Sequence, residues 1–188
     1  MSKRSIPGYV RIIAGEWRSR KLPVANVPGL RPTTDRVRET LFNWLQPYLR
    51  NARCLDLFAG TGALGFEAAS RGASEVVLIE KSDTALGMLH SNRQMLKAEN
   101  TTIVKADALG WLTDMGRPFD IIFIDPPFDL NIVSVCLQRL LDSACTQSGT
   151  LVYVEESRES PDHPEDDRLV SVKQGQAGQV RYTLLKVG

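Results

Sequence analysis

Residues 53–65 read RCLDLFAGTGALG, and this stretch decides the fold class. The apolar run 53–58 predicts a buried strand, the glycines predict a tight turn, and the residues that follow predict a helix through about Arg71. The spacing G-x-G-x-x-G between a strand and a helix is typical of α/β domains that bind nucleotide-containing cofactors. On its own, however, the motif does not say which cofactor is bound.

Strand-like and helix-like segments alternate along the rest of the chain. Strands are predicted at 53–58, 75–80, 101–105, 119–125 and 150–155, and helices at 82–98, 108–115 and 131–144. Two further alternating segments, 169–173 and 180–187, predict an antiparallel hairpin. We therefore expect residues 51–188 to form a Rossmann-like, doubly wound α/β domain with a mostly parallel sheet. A closing hairpin is typical of S-adenosylmethionine (SAM) methyltransferases and absent from dehydrogenase Rossmann domains.

The first 50 residues follow a different pattern. Segments 9–13 and 16–22 flank Ala14-Gly15 and predict a small hairpin, and a helix is predicted from Thr34-Asp35 onward. Residues 1–53 contain 11 Lys and Arg but only 3 Asp and Glu, although the whole chain has a net charge of +1. Because basic residues interleave here with Tyr9 and Trp17, we interpret residues 1–50 as a nucleic-acid-binding extension. A solvated basic terminus is the plainer alternative.

Acidic side chains follow three successive predicted strands. A carboxylate at Asp56 would repel a pyrophosphate but attract the ammonium and sulfonium groups of SAM. Glu80 is placed to accept hydrogen bonds from ribose hydroxyls, Asp107 from an adenine amine, and the Ala108 N–H to pair with a ring nitrogen. Glu80 and Asp107 could each be ordinary helix N-terminal acids, and the motif's last glycine could serve packing only. Together they predict a SAM site formed by Asp56, Phe58, Gly60, Gly62, Gly65, Glu80, Lys81, Asp107 and Ala108.

The tetrapeptide Asp125-Pro126-Pro127-Phe128 ends the strand predicted at 119–125. Its prolines have no N–H donors, so the backbone there offers carbonyl acceptors beside the Asp125 carboxylate, and Phe128 offers a flat ring for stacking. Two acceptors and a ring suit a planar group with an exocyclic NH2. We therefore predict that these four residues bind the amine that is methylated.

The same motifs can be compared with those of several alternative functions. A cytosine-C5 methyltransferase needs a cysteine nucleophile that this motif lacks. An N6-adenine methyltransferase fits the motif but usually has a large target-recognition domain, and protein-glutamine methyltransferases typically have N-P-P-Y. A nicotinamide-dependent oxidoreductase is disfavoured by Asp56, and a non-catalytic RNA-binding module by the presence of both Glu80 and Asp125.

The chain resembles the bacterial RsmD family. The N-terminal segments RIIAGEWRSRKL (11–22) and RPTTDRVRETLFN (31–43), with Asp56–Gly65 and Asp125–Phe128, carry the resemblance over essentially the whole chain. That family methylates N2 of a guanine in 16S ribosomal RNA.

The resemblance implies a seven-stranded class I methyltransferase fold that uses SAM. It also implies 16S rRNA as the partner, within an assembled or partly assembled small ribosomal subunit. The RNA phosphates would be contacted by Arg11, Arg18, Arg20, Lys21, Arg31, Arg36 and Arg38, with Arg31 and Arg38 preferred. We expect the protein to act as a monomer.

The composition of the sequence bears on metal binding, on the state of the thiols and on the cellular compartment. The three cysteines have no C-x-x-C spacing and the two histidines lie far apart, so we expect reduced thiols and no metal site. An apolar run of about 18 residues and a signal-peptide pattern are both missing from the sequence. These features predict a cytoplasmic protein that does not enter a membrane.

The basic extension makes RNA binding dependent on salt. If it neutralises about five phosphates, the plot of log binding constant against log salt concentration should have a slope near ~−3.5, at ~0.7 per phosphate of a single strand. Filter binding of an rRNA fragment across a salt series measures this slope. A slope near zero would remove the electrostatic role of residues 1–53.

Overall fold

The computed structural model describes residues 8–24, 33–112, 117–161 and 166–188. In these ranges, a two-stranded N-terminal sheet lies against a seven-stranded α/β domain. The smaller sheet pairs β1 (Tyr9–Arg11) with β2 (Lys21–Pro23). The large sheet consists of β3 (Arg53–Asp56), β4 (Glu75–Glu80), β5 (Thr101–Lys105), β6 (Ile121–Ile124), β7 (Leu151–Ser157), β8 (Leu169–Ala177) and β9 (Val180–Val187).

The order of the large sheet is β5-β4-β3-β6-β7-β9-β8. Strands β3 to β7 are parallel, and β9 is inserted antiparallel between β7 and β8. The Rossmann-like fold with its C-terminal hairpin is therefore confirmed. The second strand of the hairpin has the predicted bounds, but the first is longer than predicted, because β8 continues to Ala177 and leaves a two-residue turn.

Helices cover both faces of the sheet. They are α1 (Asp35–Leu45), α2 (Ala63–Ser70), α3 (Asp83–Leu96), α4 (Ala108–Trp111) and α5 (Val133–Leu141), with a 3-10 helix at Phe128–Leu130. Leu41, Phe66 and Leu89 from α1, α2 and α3 lie in one buried cluster. Leu137 from α5 belongs to a second cluster, together with Leu55 of β3. Alternate strand residues face the two clusters, as expected for a sheet buried on both sides.

The predicted helix starts are explained by side-chain caps. The Thr34 hydroxyl accepts from the Val37 N–H at the start of α1, and the Ser82 hydroxyl accepts from the Ala85 N–H at the start of α3. Each hydroxyl satisfies a backbone donor that has no partner within its own helix.

The N-terminal hairpin has shorter strands and a longer turn than the sequence predicted. Residues 13–17 turn away from the partner strand, and their backbone bonds to helix α2: the Glu16 N–H donates to the Ser70 carbonyl, 2.8 Å away, and the Trp17 N–H donates to the Ser70 hydroxyl, 2.9 Å away. Trp17 is buried in the core, so its ring is not available to RNA at the surface. Tyr9 is exposed.

A buried carboxylate fixes this turn to the main domain. Glu67 of α2 accepts from the Ile13 N–H at 2.7 Å, the Ala14 N–H at 3.0 Å and the Arg71 guanidinium at 2.6 Å. The division of the chain near residue 50 stays a prediction about function. In packing, the extension and the sheet domain share one core, since Ile12 and Leu22 belong to the same cluster as α2.

All three cysteines, Cys54, Cys136 and Cys145, are free thiols and buried. Burial raises the pKa of Cys136 to about 12, so its thiol stays protonated. In the described parts of the chain, no helix is long and apolar enough to cross a membrane.

Gly15 should tolerate no side chain. It has a φ of +84°, and a Cβ atom there would lie 1.9 Å from the Ser70 carbonyl oxygen. We expect Gly15→Ala to lower the free energy of unfolding by roughly 1–3 kcal/mol more than Gly149→Ala, because overpacking is added to backbone strain. Urea denaturation of both variants measures the difference.

Gly149 is the matched control for that comparison. Its φ is +92° and a Cβ atom there would meet no atom within 4 Å, so its substitution reports the strain alone. Equal losses in the two variants would contradict the close docking of the turn on α2.

Candidate active site

A cavity of about 610 Å³ lies at the carboxyl ends of the parallel strands. The loops after β3, β4, β5 and β6 form its wall, and Thr33 from the N-terminal segment completes it. Because β3 lies between β4 and β6, the residues that follow these strands meet at one edge of the sheet.

Most of the predicted cofactor residues line this cavity. Those that do are Asp56, Phe58, Gly60, Glu80, Lys81, Asp107 and Ala108. Gly62 and Gly65 do not line the cavity, and their contact with a cofactor stays a prediction. Gly62 has a φ of +80°, and a Cβ atom there would meet the Phe66 ring at 2.4 Å. A Cβ atom at Gly65 would lie 2.3 Å from the Leu78 side chain, so this glycine permits α2 to pack on β4.

Asp56 is buried at the end of β3. Its Oδ2 atom accepts from the Gly65 N–H at 2.9 Å. Burial, reinforced by the nearby charge of Glu80, raises the pKa of Asp56 to about 7. A cation placed beside this carboxylate would favour the ionised form.

Glu80 connects two of the loops that form the cavity. Its Oε2 atom accepts from the Gly60 N–H at 2.9 Å, while Oε1 accepts from the N–H groups of Lys81 and Ser82 at 2.9 and 2.7 Å. Asp107 is the N-cap of α4 and accepts from the Gly110 N–H at 3.3 Å. Both carboxylates therefore hold the backbone of these loops by hydrogen bonds, and both also line the cavity.

The tetrapeptide Asp125–Phe128 directly follows β6, which lies on the side of β3 away from β4. All four of its residues line the cavity, and Phe128 begins the 3-10 helix. The Thr33 hydroxyl donates to Asp125 Oδ2 at 2.9 Å. Burial, with a contribution from the Glu155 carboxylate, raises the pKa of Asp125 well above its ordinary range.

Three polar residues beside Asp125 were not predicted as site residues from the sequence: Thr33, which lines the cavity, and Tyr153 and Glu155 of β7. Thr33 was passed over in favour of the capping residue Thr34, and Glu155 was assigned only to a strand. Glu155 accepts from the Tyr153 hydroxyl at 2.8 Å, and both residues are buried in β7. The signal for Glu155 was its position at the end of a predicted parallel strand, which is the rule that identified Asp56 and Glu80.

The predicted RNA-contacting residues fall into three groups. Exposed positions are occupied by Arg11, Arg18, Arg20, Lys21 and Arg36. Arg31 lies outside the described residues. Arg38 has no exposed surface, and its guanidinium donates to the Arg11 carbonyl at 2.8 Å and to Asp35 at 2.6 Å. The prediction that Arg38 contacts phosphate is therefore wrong, since its charge is enclosed within the extension.

In the described part of the chain, no three His, Cys, Asp or Glu side chains form a group that could hold a metal ion.

Comparison with known proteins places the chain in a family. The model of the family described as conserved hypothetical protein 95 matches residues 10–186. The chain belongs to this family, the RsmD family. The resemblance noted from the N-terminal segments is thereby confirmed.

Named relatives are similar over most of their length. The ribosomal RNA small subunit methyltransferase D of Escherichia coli K12 is 47% identical over 179 residues, which cover 94% of this chain and 89% of the relative. The protein of the same name from Haemophilus influenzae is 46% identical over 82% of both chains. The solved structure of yhhF from Escherichia coli superposes with a TM-score of 0.88 at 42% identity, covering 96% of this chain and 98% of the other.

The raised pKa of Asp56 makes stability depend on pH. In the unfolded chain Asp56 ionises near pH ~4, whereas in the folded protein it holds its proton to about pH 7. The stability that this proton contributes is present below pH ~4 and is lost as pH rises through about 7. The free energy of unfolding of the native protein, relative to Asp56→Asn, should therefore fall across that window and level off above it.

Urea denaturation of the two proteins at matched pH values gives this difference. Asp83→Asn is the control because Asp83 is exposed and pairs with Lys105 at the surface. A difference that stays flat between pH ~4 and ~7 would contradict the raised pKa.

Proposed function

We propose that the protein transfers a methyl group from SAM to the exocyclic N2 amine of a guanine in 16S rRNA. The observation that supports this most strongly is that Asp56 and Asp125, which follow neighbouring parallel strands, line the same cavity. The family membership and the names of the relatives support rRNA as the substrate class.

The residues present fit the proposed methyl donor. The cavity volume of about 610 Å³ is in the range of about 300–1,000 Å³ common for small-molecule sites. Asp56 would face the cationic end of SAM, Glu80 its ribose, and Asp107 with the Ala108 N–H its adenine. When bound, SAM supplies an electrophilic methyl group on a positively charged sulfur.

The residues around the methyl acceptor would compensate for the weak nucleophilicity of a conjugated amine. Hydrogen bonds from the NH2 group to the Asp125 carboxylate and the Pro126 carbonyl would hold the nitrogen in a more tetrahedral geometry and stabilise its developing positive charge. Phe128 would stack on the extruded base. Alignment alone can lower the barrier by roughly 7–11 kcal/mol in favourable cases.

The extension would hold the RNA. Arg11, Arg18, Arg20, Lys21 and Arg36 are exposed on the N-terminal segment that also supplies Thr33 to the cavity. This continuity supports a substrate that contacts both the basic surface and the site. We further propose a monomer that acts in the cytoplasm on assembled or partly assembled small subunits.

The substrate is tested by offering labelled SAM with small subunits, naked 16S rRNA, large subunits and duplex DNA in parallel. We expect label in small-subunit RNA, on guanine N2 after nuclease digestion and mass spectrometry. Label that appears only in DNA, as N6-methyladenine, would establish the adenine enzyme instead. Label in the polypeptides of the subunits would favour a glutamine methyltransferase.

Asp125→Ala should reduce methyl transfer at least ~100-fold, as expected when a preorganised transition-state contact is lost, while SAM affinity changes little. Asp167→Ala, at an exposed position, is the matched control. Isothermal titration with SAM and single-turnover transfer separate binding from chemistry. Unchanged turnover in the Asp125 variant would refute its assigned role.

A further inference from the structure

Asp125, which is half-buried, has a second carboxylate beside it. This is Glu155 of the neighbouring strand β7, where Val154 is in register with Ile124, and it is only 4% exposed. Each carboxylate has a neutral hydroxyl donor, Thr33 for Asp125 and Tyr153 for Glu155. Burial raises the pKa of Glu155 while the Tyr153 and Thr33 hydroxyls lower it, so Thr33 acts on both acids.

The surroundings add negative charge to this pair. Asp56 acts on Asp125 from β3, Glu155 and Tyr153 lie on β7, and Tyr182 of β9 is in register with Glu155. Both of the charged neighbours that act on Asp125, Glu155 and Asp56, are carboxylates. A second carboxylate beside a buried first one makes the first a stronger base, whereas a hydroxyl donor makes it a weaker one.

We propose that Glu155 and Thr33 are positioning residues that set the basicity of Asp125, so that Asp125 accepts the proton lost by the methylated amine. This inference rests on the proposed function and adds a proton acceptor to it. Glu155 and Thr33 act through Asp125 and do not touch the reacting atoms.

The reaction requires such an acceptor for its atoms to balance. The nitrogen lone pair forms the bond to the methyl carbon, the carbon–sulfur bond breaks, and its electron pair stays on sulfur, which becomes neutral. The nitrogen is then positively charged and must lose one of its protons. Asp125 already holds the amine by hydrogen bonding in the proposed complex, so the proton has a carboxylate oxygen to move to.

Because Glu155 and Thr33 have opposite effects on the basicity of Asp125, substituting them should shift the pH–rate profile in opposite directions. In Glu155→Gln a negative charge is lost beside Asp125, so the acid limb of the single-turnover rate profile should move to lower pH, by about 1–3 units for a close charge. In Thr33→Val a donor to the carboxylate is lost, so the limb should move to higher pH. A purely structural role would lower the rate without moving the limb.

Matched controls exist for both substitutions. Glu156→Gln changes the next residue of β7, which is also buried but forms an ion pair with Arg181. Thr40→Val removes a threonine hydroxyl from the same N-terminal segment, where it donates to the Arg36 carbonyl. Neither control should move the acid limb. Thermal unfolding of each variant across the pH range shows that the protein assayed is folded.

A second measurement does not depend on methyl transfer. The carboxyl carbon of Asp125, labelled with ¹³C and assigned by its loss in Asp125→Asn, should titrate at lower pH in Glu155→Gln and at higher pH in Thr33→Val. If the native protein methylates no rRNA, the proposed function fails and the proton acceptor fails with it, although the titration still shows whether the two acids are coupled. If the native protein is active and neither the rate profile nor the titration moves, only the inference is overturned.

Discussion

The parallel order of β4, β3, β6 and β7 brings four carboxylates to one edge of the sheet. Asp56, Glu80 and Asp125 each stand at the end of a strand or directly after one, and parallel strands present those ends on the same side. Glu155 lies beside Asp125 because Val154 of β7 is in register with Ile124 of β6. Such crowding of negative charge is unfavourable in a buried site unless protons, hydrogen-bond donors or a cation offset it. The backbone donors on Glu80 and Asp56, the hydroxyl donors on Asp125 and Glu155, and the raised pKa values are responses to this one constraint.

A buried ion pair anchors the N-terminal segment to the main domain. Glu67 and Arg38 are both fully buried, and their nearest side-chain atoms are 3.6 Å apart. Arg71 also pairs with Glu67, and Asp35 with Arg38, so the buried charges form a network. Removing one of the two buried charges weakens the compensation of the other in the interior, which is costly. The network therefore holds the hairpin, α1 and α2 in one arrangement. Thr33 precedes Thr34, the N-cap of α1, so the geometry at Asp125 depends on this anchor as well.

Much of the fold followed from local patterns in the sequence. The strand at 75–80, the cap at Ser82 and the acids at strand ends could be predicted because they depend on periodicity and on the geometry of parallel sheets. The role of Thr33 could not, because its contact with Asp125 joins residues 92 positions apart. The burial of Arg38, in contrast, could have been predicted from the sequence. It shares a helical face with Leu41, Phe42 and Leu45, so its charge lies on the buried side of α1.

The three buried cysteines give the folded protein an unusual chemical property. Cys54 lies in the central strand β3, Cys136 in α5, and Cys145 in the loop before β7, and all are shielded from solvent. A thiol reagent can react with them only when the surrounding structure opens. The native sequence thus contains three internal reporters of local opening, and a cysteine introduced at the surface would be the one that reacts without any opening. Fluorophores for following the N-terminal segment on RNA can therefore be attached without first removing the native thiols.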